Sequence, residues 1–196
     1  MTGRPRLFNE NKAIDAAMKV FWVEGYEGAS YAALSKAMSM NTPSIYGAFG
    51  NKEELYLRVI DRYAEEYCKP AFMLFDQAKT CREGLESLLY RRIKDCVDKE
   101  HPGCLVMTVL TDAASQSLKF EAKLKALLEA FDTIATIRLQ RGIEEGDLAT
   151  KTNPKVLARI ILNLIIGFTV RARAGESERA LRSLAKDSLN FIFGSS

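Results

Sequence analysis

Between Asn41 and Leu55 the chain reads NTPSIYGAFGNKEEL. Thr42, Ser44 and Tyr46, which can donate or accept hydrogen bonds, are interleaved with the apolar Ile45 and Phe49, and Lys52 follows closely. Side chains of these types make contacts to phosphate oxygens and base edges rather than break bonds. A second stretch with chemical potential is His101-Pro102-Gly103-Cys104. A cysteine in the first turn of a helix gains thiolate character from the helix N-terminus, and a protonated His101 would add to it. His101 and Cys104 therefore form a candidate redox or electrophile sensor. A small buried residue that lets two helices pack would account for Cys104 equally well.

Catalysis has little support. The chain has one histidine and shows no Walker loop, no GxGxxG, no HExxH and no GxSxG. Neither an enzyme nor a cofactor is expected. Metal sensing by His101, Cys104 and another cysteine would need ligands gathered by folding, and no metal is expected either.

The elements that must position these residues are helical throughout. Ile14, Ala17, Met18, Phe21 and Trp22 form one apolar face of a first helix that should stop at Gly25. Ser30 can cap a second, short helix carrying Leu34, Ala37 and Met38. Asn41 can cap a third, with Pro43 in its first turn, where a missing N–H costs nothing. Asn51 and Glu54 make a capping box for a long fourth helix that Lys69-Pro70 should kink or end. Further apolar stripes run through Leu85 to Val97, from Cys104 onward, through Leu124 to Ala135, from Pro154 to Val170, and from Ser177 to Phe193. No strand-like alternation, hairpin turn or repeat is present. The expected fold is all-α with about nine helices.

Composition sets the outer bounds. The 196 residues carry 47% hydrophobic and 27% charged side chains, as an ordinary globular protein does. Eight Lys/Arg against seven Asp/Glu in residues 1–62 leave a net of only +1, so the case for nucleic acid rests on where the cations sit, not on how many there are. The four cysteines form no CxxC pair, which fits reduced thiols in a cytoplasm. The longest apolar run, Ile160 to Val170, is too short to span a bilayer.

Two short helices joined by Ser39-Met40, with a first helix behind them, have the layout of a helix-turn-helix. Its second helix is short and exposed because it must enter a major groove. Thr42, Ser44 and Tyr46 would then face double-stranded DNA, while Ile45 and Phe49 face back. Lys52 in the first turn of the next helix opposes that helix's dipole, and a bound phosphate would resolve the conflict. The capping residues Ser30 and Asn41 complete the candidate contact set. The terminal Gly3-Arg4-Pro5-Arg6 reads as an extended basic arm, with Arg4 and Arg6 suited to a narrow minor groove.

On these residues the chain resembles the TetR family of one-component transcriptional regulators. The likeness is strongest over AAMKVFWVEGYEGASYAALSKAMSMNTPSIYGAFGNKEELYLRVI, above all in Ile45, Tyr46, Phe49, Lys52, Glu53 and Leu55. The segment GDLATKTNPKVLARIILNLIIGFTVRARAG is similar to the family's penultimate helix and its lead-in. The resemblance implies a DNA-binding domain over residues 1–50 and a linking helix plus ligand-binding and dimerising domain over 51–196. It also implies a repressor that binds a pseudo-palindromic operator as a homodimer and is released by a small molecule, with Tyr46 and Lys52 on phosphates. Gly47 and Ala48 stand where the family often has larger polar or aromatic residues, and Ser39 where it usually has a turn glycine.

In the remainder of the chain, polar groups within apolar helices mark a candidate ligand pocket: Thr108, Thr111, Asp112 and Asn163, walled by Phe72, Phe75, Tyr90, Met107 and Phe131. Asn163 could equally bond across a dimer axis. The last two helices, rich in large apolar groups, are expected to build a homodimer interface, with no membrane involved. Two alternatives stay open: a repressor of the same fold that responds through Cys104 or a metal, and a helical ligand-binding protein or enzyme that does not bind DNA.

Overall fold

A computed structural model describes residues 9–98, 103–107, 111 and 117–194. Its elements are α1 (Glu10–Gly28), α2 (Tyr31–Met38), α3 (Thr42–Phe49), α4 (Lys52–Tyr63), a π turn (Ala64–Cys68), α5 (Lys69–Gln77), α6 (Cys81–Cys96), α7 (Leu118–Glu144), α8 (Pro154–Arg173) and α9 (Glu178–Phe193). Since α4, the π turn and α5 run on without interruption, the described residues hold eight separate helical rods and no strand. The fold is all-α as expected, and the helix expected from Cys104 onward falls mostly outside the described residues, of which Leu105, Val106, Met107 and Thr111 are helical.

The helix starts follow their capping residues. Ser30 Oγ accepts from Ala33 N–H at 3.1 Å, and Asn41 Oδ1 accepts from Ser44 N–H at 2.8 Å. Asn51 and Glu54 close the reciprocal capping box, each bond 2.9 Å long. Asn153 and Ser177 cap α8 and α9 in the same way.

Three backbone features depart from simple periodicity. Gly25 breaks α1 with φ at +74°, yet helical turns resume to Gly28. Ser39 ends α2 in the left-handed region at φ +53°, alone among the described non-glycine residues in having positive φ. Pro70 does not end the fourth helix. The π turn immediately before it, in which Lys69 N–H bonds Ala64 C=O five residues back, shifts the ladder so that the proline opens α5.

The apolar side chains collect into two clusters. The first joins α1 to α4 and takes in Cys104, Leu105, Val106 and Phe120. At its centre Phe21 and Tyr56 lie 4.9 Å apart, and Trp22 packs edge-on to Tyr63 at 5.1 Å. The second is built from α5 to α9 around Phe75, Leu88, Leu139, Ile161 and Phe168. Polar links tie α4 to both sides. Arg62 is paired with Asp15 of α1 at 2.8 Å, while Glu53 accepts from Ser117 Oγ and from Lys119 Nζ at the start of α7. No helix among the described residues is long and apolar enough to cross a membrane.

A helix-turn-helix surface and a buried cavity

α2 and α3 stand on the first cluster through Leu34, Met38, Ile45 and Phe49, all buried. Anchoring Ile45 and Phe49 inward turns positions 43, 44, 46 and 47 of α3 outward, and all four are exposed. Tyr46, 48% exposed, stacks on Tyr31 with ring centroids 4.9 Å apart, which fixes the direction of its hydroxyl. Burial, then the interaction with Tyr46, pushes the Tyr31 hydroxyl up to about 12, so it is a neutral hydrogen-bonding group at any physiological pH. Thr42 Oγ1 lies 3.2 Å from Ser35 Oγ and bridges α3 to α2. Gly47 has nothing within 4 Å of the position a Cβ would take, leaving a gap in the exposed row.

Lys52 does not oppose an unrelieved dipole. Its ammonium donates to Glu27 C=O at 3.3 Å and lies 4.8 Å from the Tyr26 ring centre. The C-terminal end of α1 thus already supplies the negative partner that a phosphate was expected to bring.

On the other side of α4 lies a cavity of about 540 Å³, within the range occupied by small ligands. The π turn and α5 contribute Cys68, Phe72 and Met73, and α6 contributes Leu88 and Arg92. Cys104, Val106 and Met107 close one side, and Leu127, Leu128, Phe131 and Ile134 of α7 face Leu162, Ile165 and Ile166 of α8. Glu65, Lys69 and Asp76 also border it, exposed to solvent. Tyr63 adjoins this cavity through a short relay: Arg92 Nη2 donates to Tyr63 Oη at 3.1 Å, and Tyr63 O–H donates to Cys104 Sγ at 3.2 Å.

Residues 13–59 match the profile of bacterial regulatory proteins of the tetR family, and residues 85–187 match the tetracyclin repressor-like C-terminal domain. The HTH-type transcriptional repressor ComR of Escherichia coli (strain K12) is 30% identical over 190 residues, 95% of this chain and 90% of its own. The chain belongs to the TetR family. Among solved structures, the TetR family transcriptional regulator CifR, a cysteine mutant complexed with 26-bp double-strand operator DNA, superposes with a TM-score of 0.88 at 34% identity, covering 95% of this chain and 98% of that one. The HTH-type transcriptional repressor BdcR of E. coli (strain K12) is 41% identical over 61 residues, 31% of each chain. With membership come the broad activities: this TetR-family protein is a DNA-binding, homodimeric, ligand-responsive transcriptional repressor.

Within this TetR-family chain, the structure gathers Ser30, Asn41, Thr42, Ser44, Tyr46 and Lys52 around α2 and α3, Ser30 and Asn41 as caps. Arg4, Arg6, His101, Thr108 and Asp112 lie outside the described residues. Of the expected pocket wall, Phe72, Met107 and Phe131 line the cavity, with Phe72 and Phe131 edge-on at 4.9 Å. Phe75, Tyr90, Thr111 and Asn163 do not. Phe75 is fully buried in the second cluster beneath the Arg138 guanidinium. Tyr90 faces α9, where the Arg182 guanidinium sits 4.6 Å from its ring centre. Thr111 is exposed and donates to Met107 C=O at 2.7 Å, and Asn163 points outward from α8. Arg92, Cys68 and the α7–α8 aliphatic wall were missed. The period of the Leu85 to Cys96 stripe puts Arg92, and not Arg91, on the buried face of α6, a signal that its charge masked.

Burial pushes the Cys68 and Cys81 thiols up to about 11 and also raises Cys96. Those three are poor nucleophiles at neutral pH. Cys104 is buried at the end of the Tyr63 relay. Among the described residues no three His, Cys, Asp or Glu side chains group to hold a metal.

Proposed function

We propose that this protein, acting in the cytoplasm, docks two copies of α3 into successive major grooves of a pseudo-palindromic operator and leaves it when a small molecule fills the cavity. The observation that carries this reading is the outward row of Ser44 and Tyr46 on a helix held from behind by Ile45 and Phe49. Thr42, Ser44 and Tyr46 contact the DNA, and Tyr46 meets a phosphate. Lys52 reaches a phosphate by giving up its bond to Glu27 C=O, and Arg4 and Arg6 enter the adjoining minor groove.

The two heads are joined through α8 and α9. Val156, Ile160, Asn163 and Val170 form one exposed line along α8, Phe191 of α9 is 92% exposed, and Ile134 and Ile137 of α7 are uncovered as well. Apolar groups at this density and spacing suit a self-complementary two-fold interface. Asn163 sits within that line, suited to a hydrogen bond across the axis.

Selection of random duplex DNA by the purified protein, followed by sequencing, tests the reading beside a Tyr46→Ala variant. Wild type enriches a two-fold-symmetric motif and the variant retains little DNA. Failure of wild type to enrich any motif at modest salt contradicts the reading.

The placement of Cys104 on the cavity wall, with Tyr63 O–H on its sulfur, supports a second route to release: covalent capture of an electrophile. N-ethylmaleimide then dissociates wild type from its selected duplex, the Cys104 sulfur adding across the maleimide double bond, and Cys104→Ser resists. Equal release of both proteins rules the route out.

A further inference from the structure

Among the described residues lining the cavity, Arg92 is the one charged side chain that is buried. Glu65, Lys69 and Asp76 border the cavity at the solvent side, where Glu65 pairs with Lys69 at 2.8 Å and Asp76 with Arg141 at 3.2 Å. Arg92 is different: its side chain is 6% exposed, and its one carboxylate partner among the described residues, Asp95 at 3.3 Å, is shared with Arg91 at 2.9 Å. Two guanidinium groups thus divide one carboxylate, and Arg91 is the one that also has solvent. Of the five N–H donors of Arg92, the hydrogen bonds among the described residues engage Nη1 with Asp95 and Nη2 with Tyr63. Two thiols, Cys68 and Cys104, also line the wall, and Cys68 is neutral, because burial pushes it up to about 11. A desolvated cation with half a counter-ion is an expensive arrangement unless another anion completes it.

We propose that the effector is an amphipathic carboxylate whose anionic head binds Arg92 while its apolar body lies between Phe72, Phe131, Leu128 and Ile165. This rests on the reading of the cavity as the effector site, and adds the charge and polarity of the molecule that site takes. The guanidinium fork offers a carboxylate parallel hydrogen bonds in a water-poor setting, where such bonds are strong. The head would also sit beside Tyr63, which touches Trp22 of the first cluster, so that filling the site bears on the DNA-reading domain through a side chain already shared by both.

The test is calorimetric titration of the intact protein with three ten-carbon probes that differ only at the head: decanoate, decanol and decylamine. Wild type binds decanoate about tenfold or more tighter than decanol, and decylamine most weakly. Arg92→Met, which leaves Asp95 paired with Arg91, binds decanoate and decanol alike. Arg92→Lys, which keeps the charge and loses the fork, regains part of the preference. Decanol binding wild type as tightly as decanoate overturns the carboxylate assignment and leaves the cavity as an effector site. A preference for decanoate that survives in Arg92→Met overturns it as well. If none of the three probes binds wild type, the effector reading of the cavity itself fails, and the assignment with it.

Discussion

The two apolar clusters of this protein solve opposite problems. Around α1 to α4 the large rings pack closely: Phe21, Trp22, Tyr56, Tyr63 and Phe120 interlock with ring centres 4.9 to 5.2 Å apart wherever they touch. Where that cluster meets the second one, beside the π turn, packing fails to close and leaves about 540 Å³. A filled core fixes the helix that carries an exposed side chain such as Tyr46. A hollow one has room for something else. Reading a rigid, regular target and responding to a transient one thus call for different densities of packing in the same chain.

Changes that empty the filled side should cost most. Phe49→Ala removes a ring that is 2% exposed from behind α3 and is expected to lower stability by about 3–5 kcal/mol, seen as a large drop in thermal midpoint. If the midpoint barely moves, the head is not packed as described. Filling the hollow side should cost far less. Leu162→Phe adds a ring where there is space, so a stability change within about 1 kcal/mol is expected, together with weaker binding of any cavity ligand. A penalty as large as that of Phe49→Ala would mean that the cavity is not open space. Relieving the left-handed Ser39 at φ +53° by Ser39→Gly is a smaller adjustment, a gain of up to about 1 kcal/mol in denaturant unfolding.

The smallest effect concerns the join between the two regions. The Ser117 hydroxyl and the Lys119 ammonium hold the Glu53 carboxyl below its ordinary value of 4.5. A carboxyl lowered in the folded state stabilises fully above 4.5, and that contribution fades as pH falls through the lowered folded value. The thermal midpoint of wild type should therefore fall slightly more steeply below pH 4.5 than that of Glu53→Gln. Parallel curves would show that the link contributes nothing.

Most of the head was legible because its signals are local. The caps at Ser30, Asn41 and Asn51 and the inward pair Ile45 and Phe49 lie within a turn or two of what they determine. The role of Lys52 was harder, since its partner, Glu27 C=O, is 25 residues away. The π turn before Pro70 was invisible, because proline announces a break in the ladder and not how neighbouring turns absorb it. Of the described residues that line the cavity, the expected pocket set holds Phe72, Met107 and Phe131. Large aromatics such as Phe75 and Tyr90 look the same in sequence whether they wall a space or fill one, and Arg92, though in phase with the buried face of α6, carries a charge that argues for the surface.

The most direct measurement is the affinity of the Tyr46→Ala protein for the selected duplex, by fluorescence anisotropy, with its thermal midpoint taken alongside. Tyr46 is exposed and anchors no core, so the expected result is a loss of about tenfold or more in affinity with the midpoint unchanged. Unchanged affinity, or a loss that merely follows unfolding, would contradict the claim that a filled head exists to present α3 to DNA.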